Sequence, residues 1–445
     1  MMGAHDIRLQ RGFRVIRLKT STVRRVFAPA FALFFIAASA GVLHAARTCD
    51  PRTFGAKGDG TSKDTVAIQS AIDACAAQGG GTVRLSAGTY VSAPIVLKSN
   101  ITLHLDKGAT LLGSPDHGDY PDKIEFRLPA VQSLVSATNA ENIAIEGDGV
   151  IDGNGESWWA MARTVHDAGV MGNHPRPRLI VFDHCKHLRI EGVTLQNSPF
   201  WQLVPYYSSD ITIHNIRVLA PPRSPNTDAV DPFSSSNIRI DHLYADTGDD
   251  DIAIKSGAIN SPGGDDPSSN ITITDCTFLH GHGLSIGSEI AGGAHNITAE
   301  RIHFEGTDNG IRVKANRDRG NDVSNLVFRD IDMKDVANPL VISEYYPHIL
   351  PPPGTVVTAE PVTRLTPHFH DITIENLTAT GAKMAGAIVG LPEAPVDHIV
   401  LKNVKLSGAT GLTVGYANVT GSNVKVHADN GDAIIKTAGA NVDFH

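Results

Sequence analysis

A polar residue followed by apolar residues at alternate positions recurs along the chain. It appears as Asn100-Ile-Thr-Leu, Asn142-Ile-Ala-Ile, His187-Leu-Arg-Ile, Asp210-Ile-Thr-Ile, Asn237-Ile-Arg-Ile, Asn270-Ile-Thr-Ile, Asn296-Ile-Thr-Ala, Asn325-Leu-Val-Phe, Asp371-Ile-Thr-Ile, His398-Ile-Val-Leu and Asn423-Val-Lys-Val. Alternation with period two marks a strand with one buried face, so each phrase predicts one short strand. Successive phrases start 42, 45, 23, 27, 33, 26, 29, 46, 27 and 25 residues apart, and the longer intervals leave room for a loop or an unmarked coil. A repeat of this length cannot bury its apolar face alone and must stack on its neighbours, which predicts an all-β solenoid, a parallel β-helix. A β-sandwich would need hairpin links of the Asn-Gly or Asp-Gly kind, and these are scarce.

One helix interrupts the pattern. Ile68, Ala71, Ile72 and Cys75 fall at i, i+3, i+4 and i+7, after Ser62 or Asp64 as cap and before Gly79-Gly80-Gly81. It is expected to cover the open apolar end of the solenoid, where core and strand edges would otherwise meet water.

Residues 1–46 read as an export leader: seven cationic residues, an apolar run from Val26 to Leu43, then Ala45 and Ala46. Pro29, Ser39 and Gly41 interrupt that run, which disfavours a spanning helix, and Arg24-Arg25 leaves twin-arginine and general export both open. This divides the chain into a leader, 1–46, and a single β-helical catalytic domain, 47–445, expected to be secreted: extracellular, or periplasmic in a Gram-negative host. Loss of the leader removes seven basic residues and Asp6, taking the net charge from −9 to −15. Such a chain is no partner for nucleic acid, and after cleavage none for a membrane. It also repels an anionic polymer at long range, so a site for one must gather its cations locally. The four cysteines lack the close spacing of zinc or redox motifs; export admits a Cys49–Cys75 bridge, while Cys185 and Cys276 read as buried thiols.

Residues one coil apart stack about 4.8 Å apart along the axis of a parallel β-helix. Asp228 and Asp249 are 21 residues apart, His282 follows Asp250 by 32, Arg312 follows His282 by 30, and Tyr346 follows Arg312 by 34. Five neighbouring coils can therefore present Asp228, Asp249 with Asp250, His282, Arg312 with Lys314, and Tyr346 in one row. Packed carboxylates raise one another's pKa. One can stay protonated while another is ionised, the combination that glycosidic cleavage needs. Taken singly, an Asp-Asp-Asp run is usually a solvated turn and an Arg-x-Lys pair a solvated strand face. Together, at coil-sized intervals, they favour a site. Lys255 and Glu289 stand close in sequence and are left without a role.

Asn226-Thr-Asp228, Gly248-Asp-Asp250, Gly281-His-Gly283 and Arg312-Val-Lys314 resemble, in order, the four signature segments of the polygalacturonases, glycoside hydrolase family 28. Phe54-Gly-Ala-Lys-Gly-Asp-Gly60 and Gly283-Leu-Ser-Ile-Gly-Ser-Glu289 are similar to that family too, so the resemblance spans nearly all of the chain after the leader. It implies a right-handed parallel β-helix and inverting hydrolysis of α-1,4 links in polygalacturonate, for which internal cutting is the expectation. By motif, Asp249 is the general acid, and Asp228 with Asp250 holds and activates water. His282 tunes the acid or touches substrate, while Arg312, Lys314, Tyr346 and Asn226 bind it. Tyr345 competes with Tyr346 for its place. No cofactor and no metal are implied, and a monomer is expected. Three departures stand out: Val313 replaces the usual Ile, Ala229 the usual Gly, and Asp251 the usual Cys or Asn. Other readings are exo-cleavage, action on rhamnogalacturonan or xylogalacturonan, a calcium-dependent pectate lyase in which the aspartates bind metal, and an inert polysaccharide-binding solenoid.

Overall fold

Every one of the eleven phrase-opening residues has a positive φ, between 51° and 63°. Asn and Asp tolerate this left-handed conformation better than other non-glycine residues, so the polar residue forms a corner and the apolar alternation begins after it. The structure is a computed structural model and describes residues 47–167 and 175–445; the expected leader lies outside the described residues. In register, Ile143 pairs Leu188, then Ile211, Ile238, Ile271, Ile297, Leu326, Ile372 and Ile399, all in parallel. One coil earlier Thr102 pairs Ala144 in the same register, so ten of the phrases stack at one corner. The eleventh does not: Ile399 pairs Val419, while Asn423 donates to Asn403 at 3.0 Å and Val424 pairs Val404. Asn423-Val-Lys-Val therefore belongs to the next corner round the coil, where the same left-handed requirement writes the same phrase.

The long intervals are single coils with excursions. The first carries a 3₁₀ turn, His117–Asp119, and an antiparallel hairpin of Asp122–Glu125 with Leu128–Val131. The second carries a helix, Glu156–Asp167, and the third a loop over 344–367. At the main corner, side-chain amides bond from coil to coil: Asn237 to Asp210 at 3.0 Å, Asn270 to Asn237 at 3.2 Å and Asn296 to Asn270 at 3.1 Å.

Three parallel ladders enclose one apolar core. The first follows the main corner. The second contains Val150–Asp152, Thr194–Gln196, Arg217–Leu219 and Tyr244–Thr247. The third contains Val135–Thr138, Ile180–Asp183, Leu203–Tyr206, bridges at Val230 and Phe233, then Ile252–Ile254, Leu284–Gly287, Asn309–Lys314 and Asn338–Ser343. Parallel crossovers are right-handed, giving a right-handed parallel β-helix.

The helix α1, Thr65–Ala76, buries Ala67, Ile68, Ala71, Ile72 and Cys75 against the first coils. Asp64 stands at its N-cap, but its carboxylate accepts from the amides of Lys57 and Gly58, at 2.8 and 2.9 Å, and so fastens the preceding loop instead of the helix. Cys49 and Cys75 form a disulfide of sequence separation 26, tying α1 to the first strand; Cys185 and Cys276 are free and buried. By the loop-closure relation, the bridge is worth about 3–4 kcal/mol. The Cys49→Ser, Cys75→Ser variant is expected to be less stable by that order, as a lower urea midpoint with a slope that rises because the unbridged chain unfolds to a more exposed state.

Candidate active site

The third ladder positions the chemistry. Val230, Ile252, Leu284 and Ile311 are in register and point into the core. Two residues before each, where one coil's loop enters the strand, stand Asp228, Asp250, His282 and Asn309. Alternation then sends Asp231, Ala253, Ser285 and Arg312 outward, followed by Lys255, Gly287 and Lys314. The row expected from spacing is therefore assembled, with Tyr346 at its end. Arg312, Lys314 and Arg319 approach the Tyr346 ring at 5.8, 5.6 and 5.4 Å from its centroid. Tyr345 turns away and donates its hydroxyl to the Gly390 carbonyl at 2.7 Å, so of the two tyrosines Tyr346 is the one beside these cations. His282 sits in a turn that only glycine closes: Gly283 has φ 77°, and an added Cβ would collide with the Asn309 carbonyl.

The aspartates differ in environment. Asp249 is the most accessible of them. Its Oδ1 lies 3.0 Å from His282 Nδ1 and its Oδ2 accepts from the Asn226 amide at 3.4 Å. Asp250 is buried; Oδ1 accepts from Ser285 Oγ at 2.7 Å and Oδ2 pairs with Lys314 Nζ at 2.7 Å. Burial alone would raise its pKa, but Lys314, Lys255 and Arg312 outweigh it and hold the carboxyl at about 2. Asp228, also buried, lies 3.5 Å from Lys255 Nζ; burial first, then Asp231 and Asp249, push it well above the usual carboxylate range. Burial opposes charge on His282 too, yet the bond to Asp249 and the charges of Asp249 and Asp250 lift its pKa. Asp251 faces away from the groove. It is fully buried and accepts from the Gly283 amide at 3.1 Å and from Thr247 Oγ1 at 3.4 Å, bracing the turn that carries His282.

Sequence reasoning left Lys255 and Glu289 without a role and missed Arg176 and Asp231. Lys255 lies between Asp228 and Glu289, at 3.5 and 3.8 Å, with its ammonium 4.9 Å from the Trp201 ring. Arg176 donates to Asn226 Oδ1 at 2.7 Å and to the carbonyls of Pro199 and Pro225, fixing the amide that faces Asp249. Asp231 is 0% exposed, and neither of its carboxyl oxygens has a hydrogen-bond partner. Its position after Val230 in an alternating strand was the signal that could have found it. Burial, opposed by Lys255, moves its pKa from 3.8 up to about 8. The folded state therefore holds a proton that the unfolded chain releases near pH 4, and this contribution to stability is lost as pH rises from about 4 to about 8. Asp231→Asn, a neutral mimic, is expected to gain on the parent in melting temperature across that window; a constant difference would contradict it.

Asp249, Asp250 and His282 offer one donor atom each within 4.8 Å of one another. As a metal set they are poor. Lys314 occupies one oxygen of Asp250, Asp249 occupies His282 Nδ1, and calcium asks for six to eight oxygens. The arrangement is instead an accessible carboxyl bonded to a histidine, beside a carboxylate kept ionised by a buried lysine.

The family model for glycosyl hydrolases family 28 matches residues 81–428. An endo-polygalacturonase of Pectobacterium carotovorum subsp. carotovorum is 31% identical over 367 residues, covering 78% of this chain and 85% of that protein. Among solved structures, a hyperthermoactive exopolygalacturonase from Thermotoga maritima superposes with a TM-score of 0.74 at 28% identity, over 87% of this chain and 93% of that one. A polygalacturonase from Erwinia carotovora ssp. carotovora gives 0.70 at 29% identity, over 84% and 96%.

Proposed function

Since the chain belongs to glycosyl hydrolases family 28 and is a pectin-degrading hydrolase of the polygalacturonase kind, we propose that it cuts polygalacturonate with Asp249 as the general acid. The observation that carries the assignment is the contrast between Asp249, accessible and bonded to His282, and Asp250, ionised against Lys314. Asp249 gives its proton to the glycosidic oxygen as the bond breaks. Asp250, kept ionised by Lys314, takes the proton of a water that Asp228 helps to orient as it attacks C1 from the opposite side, inverting that centre. His282, a cationic partner at acidic pH, orients the Asp249 carboxyl, which regains a proton from solvent as Asp250 releases one to it. Arg312, Lys314 and Tyr346 hold a galacturonate carboxylate, with Asn226 beside the acid, and these cations answer the repulsion expected from the chain's net negative charge.

We read the cut as internal, in line with the name of the Pectobacterium relative. One observation favours a second reading, cleavage from chain ends. On the outward side of the third ladder, just N-terminal to Asp228, Phe126 of the hairpin packs on Tyr206 and Phe233 at centroid distances of 4.3 and 5.5 Å. Arg178 pairs with Glu125 at 2.9 Å and Arg127 with Asp265 at 3.0 Å, pinning that hairpin as a wall. Incubation with polygalacturonate in chelator tests both points. New reducing ends are expected without unsaturated product; chelator-sensitive absorbance from a double bond would overturn hydrolysis. Early mid-length oligomers support internal cutting, and monomer or dimer alone supports the wall. The leader-like residues 1–46 and the disulfide support secretion, and the chain is read as a monomer.

A further inference from the structure

The strand His368–Val389 opens with histidines at alternate positions, His368 and His370, so both leave the same face of the sheet. The preceding strand in the stack, Asp322–Lys334, places Asp322 directly opposite His368. Asp322 Oδ1 lies 2.8 Å from His370 Nε2 and 3.6 Å from His368 Nδ1, and one donor atom from each of the three falls within 4.8 Å of the others. Zinc ligands at about 2.0–2.1 Å in a tetrahedron stand roughly 3.3 Å from one another, between these two separations. We propose that Asp322, His368 and His370 form a binding site for a divalent transition-metal ion of the zinc class, separate from the glycosidic site.

The surroundings fit that use. His370 Nδ1 lies 2.7 Å from Asp371 Oδ2, so a carboxylate orients the ring through the nitrogen facing away from the site. Asp322 Oδ2 accepts from Ser324 Oγ at 2.8 Å, which fixes the carboxylate as well. All three donors stand at the ends of paired strands, a more rigid support than loops provide. Two imidazoles and one carboxylate suit zinc, nickel or copper and offer too few oxygens for calcium. His368 also lines a cavity of about 350 Å³ with Thr366, Glu393 and Asp397, so open volume reaches one member of the set. A second histidine–aspartate cluster, His214 with Asp241 and His242, lacks this character: Arg239 Nε lies 2.7 Å from Asp241 and would oppose a cation. The bound ion would tie the strand Asp322–Lys334 to the strand His368–Val389, which begins where the loop over 344–367 ends.

The bland alternative is a histidinium clamped by Asp322 and Asp371, which predicts no metal dependence. The test is calorimetric titration of the chelator-stripped full chain with zinc chloride, paired with thermal melting. The parent is expected to bind one ion at this site with micromolar affinity and to melt higher with zinc. His370→Ala and Asp322→Asn are each expected to lose that event and the melting shift, and Asp371→Asn to weaken it by about tenfold. All three should keep hydrolytic activity. Absence of binding by the parent, or binding undiminished in both His370→Ala and Asp322→Asn, overturns the proposal; if His370→Ala fails to fold, Asp322→Asn decides alone.

Discussion

Asp249→Asn is expected to lower the turnover of polygalacturonate by about a thousandfold, within the range that general acid catalysis contributes. The amide has the size of the carboxyl and its oxygen can keep one of the two contacts, to His282 or to Asn226, but it has no acidic proton to give the leaving oxygen. Binding should survive, because Arg312, Lys314 and Tyr346 are untouched. Reducing-end release by the variant, compared with its retention on a polygalacturonate column, separates the two effects. Parental turnover in a folded variant would remove Asp249 from the role of acid.

Lys314→Ala is expected to damage both stability and catalysis. Lys314 and Asp250 are buried and 2.7 Å apart, and removing one member of such a pair leaves the other charge uncompensated at a cost of about 3–5 kcal/mol. The sign with pH follows from the depressed carboxyl. With its pKa at about 2, Asp250 contributes stability that is present above its ordinary value near 3.8 and lost only as pH falls through about 2. Without Lys314 that depression shrinks, so the variant should begin losing stability at a higher pH on acidification, and the acid limb of its activity should move the same way. Urea unfolding at pH 4 and pH 7 checks the first point, and a pH–rate profile checks the second. A midpoint equal to the parent's at both pH values would contradict the pairing.

The scaffold was legible because its signal is local. A left-handed corner demands Asn, Asp or a similar residue, the strand after it demands alternation, and both demands repeat in every coil. The same locality caused the one misplacement, since Asn423 obeys identical rules at a different corner. The reactive row was legible for a related reason: coil spacing turns sequence distance into spatial adjacency, and Asp228, Asp249, Asp250, His282, Arg312 and Lys314 all stand at coil intervals. What escaped was whatever depends on contacts across the coil or between loops. Arg176 acts on Asn226 from 50 residues away, and Arg178 meets Glu125 from 53, through excursions that carry no period. Asp251 escaped a role because nothing in the run Asp249-Asp250-Asp251 tells which member turns inward; packing against Gly283 decides it.

The corner ladder also bears on how such a chain can diverge. The interval from Asn325 to Asp371 is twice that from His187 to Asp210, yet Leu326 faces Ile372 in the same register as Leu188 faces Ile211. Each corner sets its own backbone angle, and several also bond to a neighbour's side chain, so an insertion between corners is absorbed locally and shifts no strand. Rims of the cleft can thus be lengthened, trimmed or exchanged by mutation while the reactive row keeps its alignment. Loop grafting between homologous chains should accordingly change which polymers are accepted without a new hydrophobic core having to be found.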